Sequence, residues 1–190
     1  MPNKYQPILN KFEFKPPRPQ DSEPFLTEDD LQRIEAKLGH RLPKDYREFL
    51  RNYPGITSNN AAIPINFEGH IENLRLYGFC GSTQQNDLAD FYFFVKGNLE
   101  GDDENCNLEW YPGLVLLRDI AKYPEAIGWP EELFPIAVDW AANLICIALG
   151  GLRPGAIFFW KSLPMEGRQN LYLVADSFDR FMNMLQMRDE

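Results

Sequence analysis

Leu133-Phe134-Pro135-Ile136-Ala137-Val138, then Asp139-Trp140-Ala141-Ala142-Asn143, then Leu144-Ile145-Cys146-Ile147-Ala148-Leu149 is the stretch that decides the fold. Two apolar runs flank a short linker. Each run is too short for an ordinary helix and carries bulky or β-branched side chains, so each reads as a buried strand. A linker this short joins neighbouring strands only as an antiparallel pair. Glycines at 150, 151 and 155 mark the next loop, and Ala156 to Trp160 supplies a third apolar run. Three strands with short connections predict an antiparallel meander.

Downstream, Asp176 or Ser177 is placed to cap a helix whose Phe178, Phe181, Met182 and Leu185 share one face. Upstream the reading is less uniform. Residues 126–132 read as a connecting loop, and 114–122 as a strand running into a helix. Residues 97–107 read as a loop in which Glu100, Asp102, Asp103 and Glu104 are nearly consecutive. Residues 87–95 begin like a capped helix, yet Phe91-Tyr92-Phe93-Phe94-Val95 has strand propensity and tips the aromatic part to strand. Residues 61–67 and 74–79 read as strands with Glu68-Gly69 as the turn between them.

The chain changes character again before residue 60. Thr27-Glu28-Asp29-Asp30 is a helix start: the Thr27 hydroxyl can accept a backbone N–H, and the acids sit at the positive end of the helix dipole. Leu31, Ile34 and Leu38 follow on one face, and Gly39 can take the left-handed conformation that ends a helix. Leu42-Pro43 opens a second helix with Tyr46, Phe49, Leu50 and Tyr53 on its apolar side, and Pro54-Gly55 stops it. The two form a helical hairpin. Residues 1–25 hold six prolines, at 2, 7, 16, 17, 19 and 24, and read as an extended proline-rich arm. The expectation is an α+β chain: one domain, residues 26–190, with an antiparallel sheet flanked by helices, behind an N-terminal arm.

Composition bounds the function. At 190 residues the chain can bury a core without metals or disulfides. It carries 28 Asp plus Glu against 19 Lys plus Arg, a net charge of −9. That charge disfavours nucleic acid and anionic lipid as partners and favours a basic protein. Three cysteines, Cys80, Cys106 and Cys146, form neither a disulfide framework nor a zinc pattern, which predicts a reducing compartment. The N-terminus has no signal-peptide run, and prolines and polar residues interrupt the longest apolar stretch, so a cytoplasmic protein without a membrane span is expected.

Catalytic chemistry finds few parts. There are two histidines, His40 in the turn between the helices and His70 in the first hairpin turn beside Glu68 and Glu72. Most metal and acid–base schemes need more. Gly78-Phe79-Cys80-Gly81-Ser82 is faintly similar to a thiol-nucleophile loop, but His70 is poorly placed to act as base, and a strand ending in a turn explains the residues. No nucleophile elbow, phosphate loop or dinucleotide fingerprint is present. The expectation is a non-enzyme with no cofactor and no metal.

Three segments in order resemble the SUKH superfamily, which includes the fungal SMI/KNR cell-wall assembly regulators. They are Ile34-Glu35 with Leu38-Gly39 and Leu42-Pro43-Lys44-Asp45-Tyr46-Arg47-Glu48-Phe49-Leu50; residues 133–139 through Asn143 and Cys146 to Gly155-Ala156-Ile157-Phe158; and Val174-Ala175-Asp176-Ser177-Phe178-Asp179-Arg180-Phe181. The resemblance implies an SMI/KNR-like fold and no shared catalytic residues. It also implies an immunity protein that neutralises a toxin of nuclease or deaminase type, or else a regulatory scaffold in cell-wall or signalling assemblies. One departure stands out. The family turn is glycine-rich, whereas this chain has Trp140-Ala141-Ala142, and alanine is unfavourable wherever φ must be positive.

For a protein-binding role the candidate residues are Glu100, Asp102, Asp103, Glu104 and Glu109 beside Trp110, with Trp140 in the hairpin turn. An aromatic ringed by charges is how interfaces commonly distribute energy. The competing explanation is a solvated loop with Trp110 turned into the core. An exposed sheet edge offers a route to a homodimer.

Overall fold

A computed structural model describes residues 4–15, 26–53, 55–80, 133–141, 143–151, 153–161 and 171–188. Among them are four helices and a seven-stranded sheet: α1 (Gln6–Lys11), α2 (Glu28–Leu38), α3 (Lys44–Asn52), β1 (Ala61–Phe67), β2 (His70–Phe79), β3 (Leu133–Asp139), β4 (Leu144–Ala148), β5 (Ile157–Trp160), β6 (Leu171–Ala175), α4 (Phe178–Met184) and β7 (Gln186–Met187). The strands lie in the order β6-β5-β4-β3-β2-β1-β7, and every pairing is antiparallel. The meander expected around residue 140 is therefore the middle of the sheet. Val138 pairs with Leu144, and Leu144 with Trp160. The sheet curls: Phe67 on β1 packs edge-on against Phe159 on β5, at 5.7 Å, and Tyr172 on β6, at 4.8 Å.

The helix boundaries follow from their caps. Thr27 Oγ1 accepts from Asp30 N (3.2 Å) while Thr27 N donates to Asp30 Oδ2 (2.8 Å), a capping box. Gly39, at φ 68°, closes α2. Ser177, not Asp176, caps α4 by accepting from Arg180 N (3.2 Å). The core lies between the helices and one face of the sheet. Its centre is aromatic: Phe49 meets Phe79 at 4.7 Å, Phe178 at 4.9 Å and Tyr5 at 5.4 Å. On the other face Leu144, Cys146, Ala148 and Trp160 are buried as well.

Part of the stretch expected to be an extended arm is not extended. Gln6–Lys11 is helical, with Pro7 in the first turn, where a missing N–H costs nothing. Six residues cannot hold a helix alone. Tertiary contacts hold it: Tyr5, Leu9 and Phe12 are buried in the core. The Tyr5 hydroxyl donates to Asp179 Oδ1 (2.6 Å) and lies 2.9 Å from the Asp45 carbonyl oxygen. Lys15 pairs with Thr57 in a β-bridge, and Thr57 bridges in turn to Gly78 of β2. β2 also begins earlier than expected, at His70, because its first four residues are exposed and reach beyond the core.

Candidate functional site

The hairpin between β3 and β4 is built by Asp139. Its side chain, only 4% exposed, points back into the turn. Oδ1 accepts from Ala141 N and Asn143 N, both at 2.8 Å, and Oδ2 accepts from Asn143 Nδ2 at 2.7 Å. Asp139 N donates to the Asn143 carbonyl oxygen at 3.0 Å. A carboxylate thus supplies the acceptors that the turn's amides need, as Asp does in Asx turns. Ala141 needs no left-handed backbone: among the described residues, positive φ outside glycine occurs at Glu13 and Glu68. The expected conflict between alanine and the turn is absent at that position. Burial pushes the Asp139 carboxyl above the ordinary range, against the pull of these hydrogen bonds.

The turn lifts Trp140 out of the sheet, 49% exposed. It is held there from beneath. Trp140 N donates to the Arg75 carbonyl oxygen at 3.1 Å, which fixes the turn to β2. The Arg75 guanidinium lies 3.9 Å from the indole centroid, a cation–π contact. The Tyr77 ring stands edge-on to the indole, 5.2 Å away at 83°. Register explains why these side chains meet. Leu76 pairs with Asp139 and Gly78 with Val138, so Tyr77 is the extra residue of a β-bulge, and it is 38% exposed. Gly78 seats the bulge. A Cβ there would lie 2.7 Å from the Ile56 carbonyl oxygen.

Arg75 is the unusual member. Its Nε is buried with no hydrogen-bond partner, and its guanidinium forms no ion pair among the described residues. Partial desolvation, and then the neighbouring Arg188, push it below its ordinary pKa.

Of the residues expected to bind a partner, Trp140 is placed as an exposed aromatic. Glu100, Asp102, Asp103, Glu104, Glu109 and Trp110 lie outside the described residues. Sequence reasoning missed Arg75 and Tyr77. The signal available was the alternation of buried Leu76 between two outward-facing neighbours. Cys80, the centre of the thiol-like motif, is buried, and burial pushes its thiol up to about 12, so it holds no thiolate at neutral pH. Among the described residues no group of three or more His, Cys, Asp or Glu is placed to hold a metal ion. No helix among them is long and apolar enough to cross a membrane.

Comparison with known proteins gives two findings. A family model described as the SMI1 / KNR4 family (SUKH-1) matches residues 26–184. The SPbeta prophage-derived uncharacterized protein YokK of Bacillus subtilis (strain 168) is 24% identical over 158 residues, which cover 82% of this chain and 72% of that protein. No solved structure matches the chain.

Proposed function

The chain belongs to the SMI1/KNR4 family (SUKH-1), whose members are commonly toxin-immunity proteins, and from that premise we propose that it is a non-catalytic binding protein that neutralises a cognate toxin by occluding it. The observation that carries the reading is Trp140: a large aromatic, half exposed, braced by Arg75 and Tyr77 on a hairpin locked by Asp139. A rigid exposed aromatic loses little entropy on binding, and Trp, Tyr and Arg are the residue types that dominate interface energies. A relative of prophage derivation is in keeping with this role.

The toxin would be a nuclease or deaminase with a basic surface, met in the cytoplasm. Glu100, Asp102, Asp103, Glu104 and Glu109 would steer that surface, and Trp110 would join Trp140 in contacting it. Occlusion needs no catalytic group, cofactor or metal from this chain.

The test is co-expression with the product of the gene adjacent to its own, in a host that this product alone kills. The parent chain is expected to restore growth. Trp140→Ala is expected to weaken the complex by about 2 kcal/mol or more, a loss of about 30-fold in affinity. Failure of the parent to bind or rescue, together with capture of several partners insensitive to Trp140→Ala, would replace the immunity reading with a regulatory scaffold.

A further inference from the structure

We infer that the Arg75 guanidinium, held against the Trp140 indole, is the docking point for an Asp or Glu side chain of the protein partner. The inference rests on the binding face described above and names its chemistry.

The other arginines with described neighbours mostly have acids: Arg47 pairs with Glu28 and Glu35, Arg33 with Asp30, and Arg153 and Arg180 with Asp176. Arg75 pairs with none among the described residues. The carboxylate closest to it in the sheet register, Asp139 on the paired strand, is spent on its own turn. Arg75 has therefore lost solvent around Nε without gaining an acceptor, a costly state for a charged group. Arg188 adds a second positive charge nearby. A carboxylate arriving end-on at the two terminal nitrogens would offset the guanidinium charge and its repulsion by Arg188, though it would leave the Nε–H unmet.

Geometry favours a carboxylate over other anions. The cation–π contact, with Arg75 Cζ 3.9 Å from the indole centroid, positions the guanidinium before binding. A carboxylate matches its fork with two parallel hydrogen bonds. A polyanion such as nucleic acid is repelled by the net charge of −9, whereas one acidic side chain within a protein surface is not. The exposed rings of Trp140 and Tyr77, covered by the partner, would then shield the pair from water. The partner is thus expected to combine a surface that is basic overall with one acid placed for Arg75.

The experiment is a titration of the ¹⁵N-labelled full chain at fixed ionic strength, following the Arg75 Nε–H and Trp140 indole N–H resonances. The probes are a capped Gly-Glu-Gly peptide, its Gly-Gln-Gly counterpart and inorganic phosphate. The expected result is a saturable shift of both resonances with the Glu peptide, at least several-fold stronger than with the Gln peptide or phosphate. Arg75→Lys, which keeps the charge but not the fork, is expected to abolish the Trp140 shift, and Arg188→Ala to weaken it. Equal responses to the Glu and Gln peptides, a stronger response to phosphate, or a Trp140 shift that survives in Arg75→Lys would overturn the inference. The two readings fail separately. If Trp140→Ala destroys toxin rescue while the Glu peptide causes no shift, the binding face stands and the carboxylate does not. If the Glu peptide binds while Arg75→Lys and Trp140→Ala leave rescue intact, Arg75 is an anion site, and both its assignment to the partner and the binding face fall.

Discussion

The helical side of the molecule and the Trp140 hairpin treat polar groups in opposite ways. Around the helices, charges that hold segments together are paired. Lys4 lies 2.9 Å from Asp179 and 3.5 Å from Glu48, which ties the N-terminal segment to α4 and α3. Arg47 reaches Glu35 at 3.1 Å and also bonds Glu28, which ties α3 to α2, and Glu35 accepts from Leu42 N at 3.0 Å as well. Asp45 Oδ2 accepts from Asp179 N at 3.0 Å, at the start of α4. At the hairpin the only carboxylate in the turn is buried and used to shape it, while Arg75, against an exposed indole, has no acid partner among the described residues. The contrast separates two uses of polarity. Groups paired within the chain serve folding; the charge without an acid partner among the described residues is the one we propose serves recognition.

The contrast predicts its largest effect at Tyr5. This residue is 2% exposed, packs edge-on to Phe49 and Phe178, and bonds Asp179. Tyr5→Ala is expected to lower stability by about 3–5 kcal/mol, the range for deleting a buried aromatic. Urea denaturation measures it. A loss within about 0.5 kcal/mol, the range for surface substitutions, would show that residues 4–15 are an accessory arm and that the clasp is not part of the fold.

Tyr5 also shows where the sequence is legible and where it is not. Strong local signals read true: the Thr27 capping box, the left-handed Gly39, the apolar runs of β3 and β4, and Ser177 as one of two candidate caps. The short α1 was hidden by proline density, although Tyr5, Leu9 and Phe12 do recur at helical spacing. Proline disfavours a helix interior but not a first turn, and tertiary burial outweighed what local propensity suggested. β6 alternates irregularly between buried and exposed positions, and β7 has two residues, too few for any period. At the candidate site Trp140 was readable as a large aromatic in a tight turn. Arg75 and Tyr77 were not, because they reach it only through the register of β2 on β3 and a bulge, neither of which is a local property.

A smaller effect sharpens the comparison through pH. Burial would raise the Asp179 carboxyl, but hydrogen bonds from Tyr5 and Lys4 outweigh it and hold the group below the usual carboxylate range. Its folded state therefore binds protons less readily than its unfolded state. The stability it contributes is present above the ordinary Asp value near ~3.9 and is lost as pH falls through the depressed folded value. Asp139 has the opposite sign: its carboxyl is raised, so its contribution is present at low pH and fades as pH rises through the folded value. Asp179→Asn is expected to flatten the acid side of the stability profile, and Asp139→Asn to flatten a decline on the higher-pH side. With its side chain 47% exposed, Asp179 is worth at most about 1 kcal/mol. Urea midpoints measured across pH resolve the slopes. Profiles that tilt the same way in both variants would show that the two aspartates do not divide as clasp and turn.

The smallest effect is expected at the one polar atom that breaks the pattern. The Tyr46 hydroxyl lies on the helical side, fully buried, with no hydrogen-bond partner among the described residues, and burial drives its pKa well above the ordinary value. Its ring is well used, 5.2 Å from Phe178 and 6.4 Å from Phe134. If pairing on this side serves stability alone, the hydroxyl is a cost that the ring's packing outweighs. Tyr46→Phe keeps the ring and removes the unsatisfied group, so stability is expected to stay level or rise by up to about 1 kcal/mol. Partner binding is expected to be unchanged, because the group faces the core and not the hairpin. A loss of about 1 kcal/mol or more, the scale of a net hydrogen bond, would instead place an acceptor on that hydroxyl and restore the rule that the helical core leaves nothing unpaired. Among the described side chains, Arg75 would then be left as the only one with a buried, unsatisfied polar atom.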